Sequence, residues 1–277
     1  MNAPPALTPM AGRHLPTATP ANLSGILTDI DDTLTRDGAL EPAALHALQR
    51  LQTAGVPVLA ITGRPVGWSE PFVRTWPVLG IVAENGSVCL SSHQGEVHKA
   101  YAQTAQVRQA NHAHLQRVLH TIEQQVPGAL RARDSAGRET DIAIDHSEHT
   151  HLPPPAIAQV VQLMRAHGLT ATVSSIHING WVGTHDKFSG ACWALKALMG
   201  VDLTQALARW VYVGDSPNDQ VMFQHLPLSV GVANISRFEG QLAHTPRWVT
   251  RGERGAGFAE VADWVLAAPR PAQGLAP

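Results

Sequence analysis

Cysteine is nearly absent from this 277-residue chain, Cys89 and Cys192 being the only two. A pair so small and so separated excludes a disulfide framework and a Cys-rich zinc knuckle, and it fits a reducing compartment, the cytoplasm. An excess of either charge is also missing. Twenty Lys and Arg stand against 22 Asp and Glu, a formal charge of −2, so no basic field gathers nucleic acid or anionic lipid. Neither is expected as a partner, and the balance leaves room for a small anion. No unbroken apolar run is long enough for a membrane span or a signal peptide, and no internal repeat recurs at solenoid or propeller periods. The opening "MNAPPALTPMAGRHLPTATPAN" is rich in Pro and Ala, which predicts a disordered leader over residues 1–22; "APRPAQGLAP", residues 268–277, predicts a loose tail.

What is present between residues 23 and 88 is a regular alternation. "GILTDI" reads as a strand, "EPAALHALQRLQTAG" as an amphipathic helix started near Pro42 and stopped at Gly55, and "VPVLAITGR" and "VLGIVAENG" as two further strands. From residue 184 to 267 the same grammar returns: helix "FSGACWALKALMG", strand "RWVYVGDS", a helix from Pro217, strand "LSVGVAN" and helix "FAEVADWVLAA". Strands alternating with helices at this spacing predict crossover units and one parallel sheet. Between them, residues 89–183 change character. A long polar helix, "RETDIAIDH", the helix "PPAIAQVVQLMRAHG" and the alternating "TATVSSIHINGWVG" predict a smaller α+β domain inserted through two linkers, an arrangement that makes a hinge.

Carboxylates gather where this alternation puts strand ends. Asp29 closes an apolar strand, and the C-terminal edge of a parallel sheet is where open α/β folds place ligands. Continued strand geometry sets Asp29 and Asp31 on one side, two like charges that call for a shared proton or a cation. A second acidic group follows "VYVG": Asp215 at the strand end, then Asn218 and Asp219 in a helix start, where Asp219 has a capping role open to it as well. If the strands are neighbours, Asp29, Asp31, Asp215 and Asp219 converge into an oxygen-rich set suited to Mg²⁺ and unsuited to zinc. Thr62 and Gly63 end another strand. Lys187 begins a helix, where the positive dipole end disfavours a cation unless an anion lies nearby; an exposed lysine beside Asp186 is the plainer reading. A carboxylate nucleophile, a neighbouring acid, a cation site and a Thr/Lys anion clamp are the equipment of phosphoryl transfer.

At these residues the chain resembles the haloacid dehalogenase superfamily of phosphohydrolases. Four motifs stand in order, "DIDDTLT" at 29–35, "ITGR" at 61–64, "DK" at 186–187 and "GDSPNDQVM" at 214–222, the last in the form typical of members with the second type of cap; "AENG" at 83–86 also looks like that subgroup. The resemblance implies an α/β fold, a Rossmann-like doubly wound parallel core with an inserted α+β cap. It also implies Asp29 as nucleophile and Mg²⁺ ligand, and Asp31 as general acid/base offering its carbonyl to the metal. Thr62, Gly63 and Lys187 become phosphate binders, and Asp215, Asp219 and Asn218 the rest of the metal shell. Spacing agrees with the cap type: 33 positions separate Asp29 from Thr62, leaving no room for an insertion, while 125 separate Thr62 from Lys187. That location resembles the group of sucrose-phosphate phosphatase, mannosyl-3-phosphoglycerate phosphatase and phosphomannomutase. Asp32 departs from the pattern, standing where many members have Gly, and no role follows for it.

In "SSIHINGWVG" the alternation puts Ser175, His177, Asn179 and Trp181 on one face. His177 and Asn179 become candidate substrate contacts and Trp181 a packing surface for a sugar ring, with a solvent-facing strand as the alternative. Eleven of the 15 histidines fall between His93 and His185; His146, His149 and His151 share one short stretch, with no period that aligns them on a metal. The expected activity is a Mg²⁺-dependent phosphatase acting on a small phosphomonoester, most simply a sugar phosphate, through an aspartyl-phosphate. A phosphomutase would use the same nucleophile and acid, and a catalytically silent ligand-binding member would keep only the fold.

Overall fold

The computed structural model describes residue 10 and residues 12–268. The chain enters the main sheet at β1 (Gly25–Thr28), continues through a two-stranded ribbon of β2 (Thr35–Arg36) and β3 (Ala39–Leu40), and then follows α1 (Pro42–Thr53), β4 (Val58–Ile61), α2 (Val66–Thr75) and β5 (Gly80–Ala83). An antiparallel hairpin of β6 (Val88–His93) and β7 (Glu96–Tyr101) comes next. A second unit holds α3 (Ala105–Gln125), β8 (Leu130–Arg131), β9 (Asp141–Asp145), α4 (Pro154–Ala166), β10 (Thr170–Val173) and β11 (His177–Trp181). The main unit resumes with α5 (Lys187–Met199), β12 (Trp210–Gly214), α6 (Gln220–His225), β13 (Leu228–Gly231), β14 (Trp248–Val249) and α7 (Arg254–Leu266).

Eight strands form the main sheet in the order β14-β13-β12-β1-β4-β5-β6-β7, parallel up to β5 and antiparallel thereafter. Strands covered on both faces are apolar throughout, because each successive side chain meets a different helix layer. In β1, Ile26 packs with α1 and α7 residues such as Leu48, Leu51 and Phe258, whereas Leu27 packs on the opposite face with Ala191 and Leu195 of α5. The small unit is a four-stranded sheet, β10-β11-β9-β8, with α3 and α4 on one face. Ile142, Ile144 and Ile178 meet Leu119, Ile122 and Met164 there, and the other face is turned to the main unit.

Two boundaries differ from expectation. Residues 88–101, assigned to the insertion from residue 89 onward, extend the main sheet instead; their charged, turn-rich sequence is what an edge hairpin carries, so it mimicked an exposed antiparallel unit. Within the leader, Met10 is buried and its N–H donates to Glu239 Oε1 at 3.0 Å, Arg13 O accepts from Val249 N–H at 2.6 Å, and Thr19 Oγ1 donates to Trp264 O at 2.9 Å. An extended chain with its backbone groups satisfied can order without a regular element. Residues 1–9, 11 and the tail beyond Ala268 lie outside the described residues. No helix among the described residues is long and apolar enough to cross a membrane.

Candidate active site

Strands β12, β1 and β4 lie side by side in the sheet, so the residues that follow them, Asp215, Asp29 and Thr62, share its C-terminal edge. Asp29 N–H still donates to Val213 O at 2.8 Å, which fixes the turn of the chain out of β1. Lys187, the first residue of α5, projects into this edge from above. Its helix start is held by a capping box in which Asp186 accepts from Ser189 N–H at 2.7 Å and Ser189 Oγ accepts from Asp186 N–H at 2.9 Å. The Lys187 ammonium is buried and donates to Asp29 Oδ1 at 2.6 Å and to Asp219 Oδ1 at 2.7 Å. The exposed lysine that the sequence alone allowed is not what the fold makes.

Burial pushes the Asp29 carboxyl up to about 8; Lys187 pulls the other way, while Asp219 and Asp31 add to the rise. Burial likewise pushes Asp215 well above the usual carboxylate range, with Asp29 and Asp219 contributing. Lys187 is raised above an ordinary lysine: burial opposes its charge, and Asp219 and Asp29 more than offset that. Asp29, Asp215 and Asp219 offer oxygens within 4.8 Å of one another, the one such metal-competent group among the described residues. Asp215 is fully buried, and its Oδ1 has no hydrogen-bond partner. A buried orphan carboxylate oxygen amid repelling acids is the situation a divalent cation relieves, and an all-oxygen donor set fits Mg²⁺. Asp219 stands differently. Oδ1 accepts from Lys187 and from Tyr212 OH, and Oδ2 from the N–H groups of Asp215 and Ser216 at 2.9 and 3.0 Å, so its lone pairs are already engaged. Asn218 borders the cleft with Oδ1 accepting from Ser216 Oγ at 2.8 Å.

Thr62 is fully buried; its hydroxyl accepts from Arg64 N–H at 2.9 Å and lies 3.4 Å from Asp31 Oδ2. Asp31 Oδ1 accepts from Arg64 Nε at 2.9 Å. Gly63 is closely approached: a Cβ there would meet Asn179 Oδ1 at 3.1 Å and Asn85 Oδ1 at 3.3 Å. Asp32 has φ +56°, the left-handed region that favours Gly and that Asp tolerates better than most residues. Its carboxylate accepts from Arg254 Nε at 2.6 Å and its carbonyl from Asn234 Nδ2 at 3.0 Å, so the residue ties the start of α7 and the 234–238 turn to the loop after β1.

From the small unit, β11 brings His177 and Asn179 into the narrow space above Asp29 and Asp31, and both are buried rather than facing solvent. His177 Nε2 lies 3.0 Å from Glu148 Oε2, and Asn179 Nδ2 donates to Gly63 O at 3.3 Å and Asp141 Oδ2 at 3.2 Å. Trp181 does not join them. At the far end of β11 its ring is buried beside His185 and its Nε1 donates to His185 O at 3.0 Å, so it offers no open face to a sugar. The three clustered histidines do not assemble either: His146 is buried against Ser174 O, while His149 and His151 line an outer cleft.

Sequence reasoning missed the residues that join the two units. Arg64, in the quoted "ITGR" but given no role, reaches Asp31 with Nε and Glu148 and Asp134 of the small unit with its terminal nitrogens, at 2.6 and 3.3 Å. Burial raises the Glu148 carboxyl, but hydrogen bonds from His177 and Arg64 overcome it and hold Glu148 down to about 2. The buried Glu84, in "AENG", accepts from Val66 N–H and, across the interface, from Glu139 N–H, Thr140 N–H and Thr140 Oγ1. Arg138 donates to Gly63 O at 3.0 Å and to both oxygens of Asp141. Glu84 and Arg64 lay within quoted motifs; Glu148, Arg138 and Asp141 had no signal, since their partners in the main unit, Arg64, Gly63 and Asn85, are 84, 75 and 56 positions away.

The model of the haloacid dehalogenase-like hydrolase family matches residues 26–129. A phosphoglycolate phosphatase of Pyrobaculum neutrophilum is 28% identical over 245 residues, 87% of this chain and 95% of that protein. Among solved structures, a Thermoplasma acidophilum protein designated 0175 superposes with a TM-score of 0.66 at 17% identity, over 88% of this chain and 99% of the other. The sucrose-phosphatase of Synechocystis sp. PCC6803, solved with sucrose and phosphate, gives 0.61 at 16% identity, over 88% and 98%. Both share the α/β fold of this chain.

Proposed function

We propose that this chain, haloacid dehalogenase-like in fold and in the sequence of residues 26–129, is a phosphatase that hydrolyses a small phosphomonoester, a sugar phosphate in the simplest case, through an aspartyl-phosphate on Asp29. The observation that carries the reading is the contrast between the two oxygens of Asp29. Oδ1 is fixed by the Lys187 ammonium at 2.6 Å, whereas Oδ2 accepts no hydrogen bond among the described residues, and the residue borders the interface space.

Asp29 Oδ2 attacks phosphorus, forming an acyl phosphate while the ester oxygen leaves. Asp31, two residues on and held by Arg64, gives that oxygen its proton and then takes one from the water that hydrolyses the acyl phosphate. Lys187 and Thr62, with the Gly63 N–H, neutralise and orient the phosphoryl oxygens. Asp29, Asp215 and the Asp31 carbonyl are the residues that would hold Mg²⁺, whose charge offsets that of the phosphoryl group. Asp219 serves by holding Lys187. The space above Asp29 is about 10 Å³, roughly one water, so the small unit must withdraw to admit a substrate. The curated relative's name supports phosphatase chemistry, and the sucrose-phosphatase supports a sugar-bearing leaving group.

Phosphate release from a panel of phosphomonoesters, with Mg²⁺ and with EDTA, tests this. Asp29→Asn is expected to lose at least about a thousandfold in kcat, as removal of a nucleophile does, and EDTA to abolish turnover. Activity surviving Asp29→Asn would sink the mechanism, and an isomerised sugar phosphate in place of free phosphate would make the enzyme a mutase.

A further inference from the structure

A cleft of about 360 Å³ beside Asp31 is walled by three arginines, Arg64, Arg237 and Arg254. Two of them are hydrogen-bonded to carboxylates. Arg64 is divided among Asp31, Asp134 and Glu148, and Arg254 gives Nε to Asp32 at 2.6 Å and Nη1 to Glu253 at 3.4 Å. Arg237 is not. Its Nε donates to Asn234 O at 3.1 Å, but Nη2 stands 3.8 Å from both Asp32 Oδ2 and Asp215 Oδ2, beyond hydrogen-bonding distance. Among the described residues neither terminal nitrogen donates a hydrogen bond, and the side chain is 48% exposed to the cleft.

The tether places this open fork. Asn234 is buried, and its side chain bonds Asp32 O, Asp215 Oδ2 and Arg254 N–H, so the residue carrying Arg237 is tied directly to the acidic centre. The two carboxylates nearest to it have closer donors, Asp32 in Arg254 and Asp215 Oδ2 in Asn234, and Asp31 and Glu148 are served by Arg64. Asp37 remains, on the exposed rim formed by the β2–β3 ribbon. Facing Arg237 across the cleft, the small unit contributes Ser147, His149 and His151. Among the described residues no Phe, Tyr or Trp lines the space.

A guanidinium with two free, parallel N–H donors matches a carboxylate or phosphate bidentately, and it has no comparable partner in a neutral polyol. We infer that Arg237 recognises a second anionic group, a carboxylate or a second phosphate, on the part of the substrate that leaves with the ester oxygen. The inference rests on the phosphatase reading and narrows its substrate class to phosphomonoesters with an anionic leaving group.

Two measurements separate the inference from that reading. With Mg²⁺ present, kcat and KM are measured for phosphoglycolate, fructose 1,6-bisphosphate and glucose 6-phosphate on the wild type, Arg237→Gln and Arg237→Lys. Calorimetric binding of the same three compounds to Asp29→Asn, with and without Arg237→Gln, needs no turnover. The expected result is a preference of at least about tenfold in kcat/KM for one of the first two over glucose 6-phosphate, the size of one charged hydrogen bond. Arg237→Gln is expected to erase the preference through KM, and Arg237→Lys, which keeps the charge without the fork, to restore part of it. The carboxylate and bisphosphate arms show which anion is read. Turnover without a preference, a preference that survives Arg237→Gln, or binding of none of the three would overturn the inference. A calorimetric preference that depends on Arg237 without phosphate release by the wild type would uphold it and overturn the phosphatase reading.

Discussion

Asp219 lies against the Lys187 ammonium with each of its oxygens taken twice, by Lys187 and Tyr212 on one side and two backbone N–H groups on the other. Replacing it by Asn removes a buried countercharge and sets an NH₂ donor where acceptors are needed. Asp219→Asn is therefore expected to cost about 3 kcal/mol of stability, in the range for breaking a buried ion pair. Chemical denaturation checks this, and phosphate release should fall alongside. Asp219 also shows what single residues disclose. Its helix-start role was legible, because Ser216 and Asp219 are three apart and do form the capping box. Its bond to Lys187 was not, since 32 positions separate the pair and only the sheet order brings them together. Asp32 was opaque for the same reason: Arg254, 222 positions on, accounts for a carboxylate the local pattern left unexplained.

Helix α5 owes its position to a close approach between two glycines. A Cβ on Gly190 would lie 2.4 Å from Gly86 Cα, and one on Gly86 2.1 Å from Asp186 O, so α5 rests directly on the turn after β5. Gly190→Ala must push α5 off that turn and carry Lys187 with it. The expected cost is about 2 kcal/mol, within the range for forced overpacking, with a loss of activity out of proportion to it. A thermal melt and kcat measured on the same sample check both, and wild-type turnover in Gly190→Ala would refute the coupling. Elements of this kind were the most readable part of the sequence, because buried strands between amphipathic helices repeat a period that survives any tertiary detail. The hairpin of β6 and β7 was misplaced because an edge strand carries the polar and charged residues of a solvated unit.

Across the whole molecule, the two units meet through charges rather than through a shared apolar core. Arg64, Asp31, Asp134, Glu148 and His177 form one network, and Asp134 extends it to Arg138 and Asp141. Glu148 makes this network sensitive to acid. Its folded carboxyl is held at about 2, below the ordinary 4.5, so between those values the unfolded chain binds more protons. The contribution is complete above about pH 4.5 and is lost as pH falls toward 2. Urea titrations of the wild type and Glu148→Gln at pH 6 and pH 3 are expected to differ by less at the lower pH; a gap that holds constant would contradict the assignment. None of this network was visible in sequence, since ion pairs across an interface leave no period.

The places where the chain leaves the main sheet and returns to it lie next to each other: Gln103 Nε2 donates to Val182 O at 2.9 Å, and Gly183 lies against the Gln103 side chain. Topologically the small unit is thus a single loop of about 80 residues with its ends pinched together. Closing such a loop costs entropy only once, and a unit that folds by itself meets that cost internally. To the eight-stranded sheet the insertion then presents itself as a short turn, whatever its length or content. The architecture is that of a socket: the sheet edge that holds Asp29, Thr62, Lys187 and Asp215 can remain constant while the piece plugged in above it is exchanged.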